Sequence, residues 1–222
     1  MLLVDVGARG GIHPRWREVV DDTLAFDADA GVDTGHPPRA VADLRGVREF
    51  HLLRARPCSS LYRPNRSYLA GFPGALDRFA IDATRTVETT TLDDLVPDGV
   101  DVVLKLDVEG GERAVLRGAP RTLQRVALIE TEVWFAPVYA GGALFPDLHR
   151  DLTDAGFSLV TLRRCWWKDL TGVPHLTTGD AIYVRPAHQA VSRLLSAYRR
   201  PTATGFQRLL ESEADAVTDP GW

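Results

Sequence analysis

Leu2-Leu3-Val4-Asp5-Val6-Gly7-Ala8-Arg9-Gly10-Gly11 sets four apolar residues around one acid and then turns to glycine. A short apolar run that stops at glycines predicts a buried parallel strand entering a tight turn. Pro14 suits a first helical turn, and Trp16, Val19 and Val20 recur at helical spacing, so a helix is predicted after the loop. Glycines there let the backbone come close to a ligand where a side chain would clash. A second apolar step, Leu24-Ala25-Phe26, ends in Asp27-Ala28, ~20 residues on, where nucleotide-binding folds place a carboxylate that grips ribose hydroxyls. The loop lacks the G-x-G-x-x-G order, which argues against a pyrophosphate ligand.

The 222 residues are 45% hydrophobic and 25% charged, which fits one soluble domain with a sizeable core, or a domain plus a small appendage. A net charge of -4 and a pI near 5.9 offer no basic surface for nucleic acid. Cys58 and Cys165 are isolated, so neither a zinc site nor a disulfide framework is indicated, and reduced cysteines in a cytoplasmic protein are expected. No apolar run approaches the ~20 residues of a membrane span, and no signal peptide is expected ahead of the first strand.

Working outward, Arg39-Ala40-Val41-Ala42 is a short strand ending at Asp43, whose carboxylate could receive an adenine amino group. Strands follow at Arg48 to Leu53 and Phe79 to Thr91, separated by a proline-bounded loop at 57–65. Thr91 precedes a short helix through Leu95. Val102-Val103-Leu104-Lys105-Leu106 is the clearest central strand, running into Asp107-Val108-Glu109-Gly110-Gly111-Glu112 and a helix that Gly118 closes. Val126 to Ile129 is the next buried strand, leading into Glu130-Thr131-Glu132. Pro146 to Ala155 is a helix, with His149 on its surface. Phe157 to Leu162 and Ala181 to Val184 are late strands across a Trp166-Trp167 loop, and helices are predicted at 187–198 and 205–214. Alternating strands and helices imply a mostly parallel sheet covered on both faces, with ligands beyond its carboxyl ends. Five acidic strand ends would then face one crevice.

The stretch Leu104 to Glu112, with Val115-Leu116-Arg117-Gly118-Ala119, closely resembles the signature of FkbM-type S-adenosylmethionine (SAM)-dependent methyltransferases. Val4-Asp5-Val6-Gly7-Ala8, Cys58-Ser59-Ser60-Leu61, Thr91 to Leu95, and Glu130 to Tyr139 with Leu144-Phe145 support it. The resemblance spans residues 2–185. It implies an α/β, Rossmann-like class I fold: a mostly parallel seven-stranded sheet, helices on both faces and an antiparallel late strand. The chain then divides into a methyltransferase domain, 1–186, and a helical appendage, 187–222, whose amphipathic spacing at Val191, Leu194 and Leu195 suggests packing on the core or on a second subunit of a homo-oligomer. The resemblance implies SAM as cofactor, held by Asp5, Gly7, Ala8, Arg9 and Gly11, by Asp27 and Ala28, and by Asp43 and Asp107. The acceptor is a hydroxyl of a small molecule, sugar or natural product. Arg9 stands where the family has a small amide residue, and Asp27 replaces a usual glutamate. The upstream helix that often covers the cofactor is missing from this sequence.

A hydroxyl acceptor calls for a base. Asp107 and Glu109, at the central strand end, are the first candidates, followed by Glu130 and Glu132. Glu112 is assigned to capping at its helix start. Lys105 shares a side of its strand with Asp107 and is expected to pair with Asp5 or Glu130. Asp107-Val108-Glu109 is compatible with Mg²⁺, but no spacing demands a metal and none is assigned. Two other classes remain: a non-catalytic binding protein of the same fold, and a nicotinamide oxidoreductase, which the missing fingerprint and missing Tyr-x-x-x-Lys pair disfavour.

Overall fold

The computed structural model describes residues 1–9, 11–29, 31–35 and 38–199. Strands β1 (Leu2–Val6), β2 (Asp22–Phe26), β3 (Ala40–Val41) and β4 (Gly46–Leu53) come first, then helices α1 (Arg66–Leu69) and α2 (Ala75–Arg78). Next are β5 (Ile81–Thr90), α3 (Leu92–Leu95), β6 (Val102–Leu106), α4 (Glu112–Arg117) and α5 (Pro120–Leu123). The chain continues through β7 (Val126–Trp134), α6 (Phe145–Asp154), β8 (Ser158–Lys168), β9 (Pro174–Val184) and α7 (Val191–Arg199).

The main sheet has six strands in the order β2-β1-β6-β7-β9-β8, and a second sheet has the order β3-β5-β4. Strands β2, β1, β6 and β7 run parallel, while β9 is antiparallel to both β7 and β8. The expected seven-stranded sheet is therefore corrected to a mixed six-stranded one. Strand β3 pairs instead with Thr89 and Thr90 of β5. The cause lies at Asp27, whose Oδ1 accepts the Asp29 N–H at 2.8 Å and turns the chain away just past β2. The Arg39 N–H, reaching the Asp27 carbonyl at 2.9 Å, still tethers the approach to β3.

Three further expectations change. The helix after the glycine loop is a single 3₁₀ turn, Pro14–Trp16. Residues 7–21 must hold both the loop and a parallel crossover, which leaves no length for a longer helix. Strand β7 runs on through Glu130 to Trp134, so Glu130 lies inside a strand and not at its end. Trp166 and Trp167 belong to β8, and the hairpin turns at 169–173, where Asp169 Oδ1 accepts the N–H groups of Thr171 and Val173. The helix expected at 205–214, and Gly10, lie outside the described residues.

Alternation sorts the core. Leu2, Val4 and Val6 of β1 join Leu104, Leu106, Val115 and Ile129 on one face of the sheet. Leu3, Val103 and Leu128 face the other side with Trp16, Leu194 and Tyr198. The described part of the C-terminal segment thus packs on the core through α7. No helix among the described residues is long and apolar enough to cross a membrane.

Candidate functional site

A cleft open to solvent, with about 650 Å³ of empty space counted to its mouth, lies at the carboxyl ends of β1, β2 and β6. Gly7, Arg9, Asp27 and Ala28 form its floor on one side, with Asp107, Val108 and Glu109 on the other. Phe26, Val41, Phe50 and Ala114 supply an apolar lining. Its outer wall comes from the loop after β4, through Arg56, Pro57, Ser59, Leu61 and Tyr62.

Gly7 has φ +84°, and a Cβ there would fall 1.8 Å from the Asp107 carbonyl oxygen. Only glycine lets the ends of β1 and β6 approach so closely. Asp27 is half-buried, and burial pushes its carboxyl up, against the pull of the Asp29 N–H. Arg9 turns its guanidinium onto the Asp29 carboxylate, so the loop presents little net charge to the cleft.

The stretch after β6 is held in an unusual shape. Glu109 adopts φ +57°, the left-handed region, and Gly110 follows at +92°. A non-glycine residue there costs ~1–3 kcal/mol, sustained only when its surroundings over-determine it. They do: Glu112 Oε1 accepts the N–H groups of Val108 and Gly110 at 3.0 and 3.3 Å, and Ser60 Oγ donates to the Glu109 carbonyl at 2.7 Å. Glu112 therefore braces the turn ahead of α4: the N–H groups it accepts lie upstream of the helix, not in its first turn as a cap would require. Its burial pushes its carboxyl up to about 7.

Asp107, Glu109 and Glu132 each bring a carboxylate oxygen within 4.8 Å of the others. That spacing is compatible with a shared hard cation or with shared protons. Burial, then the neighbouring Asp107 charge, pushes Glu109 well up. Glu132 is pushed up by burial and by Glu109; Thr178 donates to its Oε1 at 3.2 Å, while its buried Oε2 has no hydrogen-bond partner among the described residues. Burial raises Asp107 too, but Lys105, with Nζ 3.7 Å away, opposes the shift.

The structure gathers Gly7, Arg9, Asp27, Ala28, Asp107 and Glu109 around the cleft. Asp5, Ala8, Gly11, Asp43 and Glu130 do not line it. Asp5 is 1% exposed and receives the Lys105 ammonium at 3.1 Å, because its position in β1 points it to the Trp16 face. Ala8 is buried and donates its N–H to the Phe26 carbonyl. Gly11 closes the turn onto the Ala8 carbonyl at 3.0 Å. Asp43 is taken by Arg48. Glu130 points to the same face as Asp5, bound by Arg15 and by the Tyr198 hydroxyl at 2.8 Å, which removes it from the base candidates. His149 is not a free surface group: its Nδ1 meets the Tyr183 hydroxyl at 3.0 Å.

Sequence reasoning missed Tyr139, whose hydroxyl lies 2.7 Å from Glu109 Oε2, and the cleft arginines Arg39 and Arg56. Tyr139 closes the stretch from Glu130 that resembles the family as a block, and nothing within that block singles it out. The arginines had no signal, because the order of residues does not show which loop folds back over the cleft.

The family model of the methyltransferase FkbM domain matches residues 40–159, just over half of the 222 residues. The match includes the Asp107-to-Glu112 stretch and Tyr139, and leaves out the glycine loop and Asp27. Neither the curated proteins nor the solved structures give a match.

Proposed function

The chain belongs to the FkbM methyltransferase family, and from that we propose that it uses SAM to methylate a hydroxyl of a small molecule or glycan. The observation that carries this reading is the cleft, with Asp27 at one end and Asp107 with Glu109 at the other, along the carboxyl ends of parallel strands. The residues present suit a nucleoside: apolar walls from Phe26, Val41, Phe50 and Val108 for a base, and a half-buried carboxylate for ribose hydroxyls.

When bound, SAM supplies a methyl group already activated on a positively charged sulfur, which departs as a neutral thioether while the acceptor oxygen forms the new bond. The protein's part is placement and a proton route. Asp27 would hold the ribose hydroxyls, and Gly7 and Ala28 line the floor beside it. Asp107, its side chain 48% exposed and flanked by Lys105, is the carboxylate best placed to accept the acceptor's hydroxyl proton. The loop at 56–62 shields the cleft from water.

Calorimetry with SAM, S-adenosylhomocysteine (SAH) and NAD tests the reading. Binding of SAM and SAH without NAD supports it. NAD binding without SAH would replace methyl transfer by redox chemistry. A screen of hydroxylated acceptors then separates a catalyst from a protein that only binds the cofactor.

A further inference from the structure

Tyr139 stands where one proton is not enough. Its hydroxyl oxygen lies 2.8 Å from the Cys58 carbonyl oxygen and 2.7 Å from Glu109 Oε2. A phenol carries one proton, and a carbonyl oxygen only accepts. If Tyr139 donates to Glu109, its oxygen faces the Cys58 carbonyl with no proton between them. If it donates to Cys58, Glu109 must bring the second proton. Only the second arrangement puts a proton in both contacts, and at 3% exposure Tyr139 has little room for a mediating water.

The surrounding charges agree. Carboxylates as close as Asp107, Glu109 and Glu132 do not all ionise. Lys105 Nζ sits 3.7 Å from Asp107 Oδ2 and so favours ionisation of Asp107, whereas the Arg78 guanidinium near Glu109 is outweighed there by burial and by the Asp107 charge.

We propose that Glu109 is a neutral carboxylic acid that donates to Tyr139, which donates in turn to the Cys58 carbonyl, leaving Asp107 as the ionised carboxylate of the site. Glu109 is then a positioning residue and not a base. Its proton completes a chain from the end of β6 to the cleft wall, beside the second tie from Ser60 to the Glu109 carbonyl. The consequence for catalysis, that Asp107 alone takes the acceptor's proton, rests on the methyl-transfer reading; the position of the proton on Glu109 does not.

Infrared difference spectroscopy needs neither cofactor nor acceptor. With isotope-labelled glutamate at neutral pH, wild type minus Glu109→Gln should show the carbonyl stretch of a protonated carboxyl. With labelled aspartate, wild type minus Asp107→Asn should show carboxylate bands. A Glu109 difference made only of carboxylate bands overturns the proposal, as does a protonated-carboxyl band for Asp107. If Glu109→Gln does not fold, Tyr139→Phe serves. A protonated Glu109 that loses its acceptor shifts its carbonyl stretch, whereas an ionised one shows only a carboxylate shift.

Calorimetry adds the readout of conservative rescue. The amide introduced by Glu109→Gln can still donate an N–H to Tyr139, so this variant should hold SAH affinity within about threefold, while Glu109→Ala should weaken it roughly tenfold or more. Tight Mn²⁺ uptake by wild type that is lost in Glu132→Gln would put a cation between the carboxyls in place of the proton and overturn the assignment. Failure of wild type to bind SAH would sink the cofactor reading while leaving the infrared result standing.

Discussion

Two sets of acids sit at the same level of the sheet and are treated differently. On the Trp16 face, Asp5 meets Lys105, Glu130 meets Arg15, and Asp180 meets Arg163. Around the ends of β6 and β7, by contrast, Asp107, Glu109 and Glu132 crowd together: the lysine at Asp107 is already closer to Asp5, and the Arg78 guanidinium near Glu109 is outweighed by burial. An acid with its own cation is spent on structure. An acid without one must take up a proton, a cation or a ligand, and that imbalance marks chemistry better than a position at a strand end does.

The largest test of this contrast compares Asp107→Asn with Glu130→Gln. Loss of a general base costs ~100- to 10,000-fold in rate. Asp107→Asn should therefore lose methyl transfer on that scale while calorimetry shows SAH still bound. Glu130→Gln should keep its turnover wherever it folds. Equal losses in both folded variants would erase the distinction between the two sets.

The next effect is on stability and belongs to the paired set. The side chains of Arg15 and Glu130 are 22% and 16% exposed, so their charges are only partly desolvated. Arg15→Met leaves Glu130 with the Tyr198 hydroxyl alone, and should cost roughly 2–4 kcal/mol, somewhat less than a fully buried pair. Denaturant unfolding reads the cost directly, and SAH affinity should not move. The double variant Arg15→Met with Glu130→Met should recover part of the loss. A double variant no more stable than the single would mean that the pair contributes more than its charge balance.

Asp27→Ala probes the other end of the cleft. Asp27 faces the cleft, and among the described residues no cation is paired with it as Lys105 is with Asp5. Removing a charge-assisted hydrogen bond to ribose costs on the order of 1.5–3 kcal/mol, a ten- to hundred-fold loss of SAH affinity. Unchanged affinity in a folded variant would move the ribose elsewhere.

Much of this was legible in the sequence because strands advertise themselves locally. The apolar runs of β1, β6 and β7, the glycine loop and the Asp107-to-Glu112 stretch all stood out. Strand alternation even placed Lys105 with Asp107. The same rule puts Asp5 on the face away from the cleft, yet Asp5 was kept as a cofactor residue because its place in the motif outweighed its parity. Glu130 failed for a different reason. Where β7 ends depends on its pairing with β9, a contact across some fifty positions of chain that no local pattern reveals. The small β3-β5-β4 sheet was hidden in the same way, since Ala40 and Val41 choose their partner only in three dimensions.

The smallest effect concerns Glu112, which supports the unpaired set without belonging to it. Its carboxyl is 3% exposed and accepts two backbone N–H groups from the stretch that carries Glu109. Burial lifts it from 4.5 to about 7 in the folded protein. The native state therefore binds more protons than the unfolded chain between those values, and stability must fall as pH rises through the window. The contribution is fully present below about 4.5 and gone above about 7. A lone group so shifted would carry ~3 kcal/mol, but the shift is shared with the neighbouring carboxyls, so we expect about 1 kcal/mol from Glu112 itself between about pH 4.5 and pH 7, or ~2–4 °C in melting temperature. Glu112→Gln keeps an oxygen for both N–H groups and cannot ionise, so its melting temperature should follow pH less steeply than the wild type's. At the acid end the two proteins should melt alike; at the alkaline end the variant should be the more stable. A wild type that gains stability over that window, with Glu112→Gln following it, would mean that the carboxyl is ionised when folded. The two N–H groups would then outweigh its burial, and the contrast between the two sets of acids would have to be redrawn around backbone donors as well as cations.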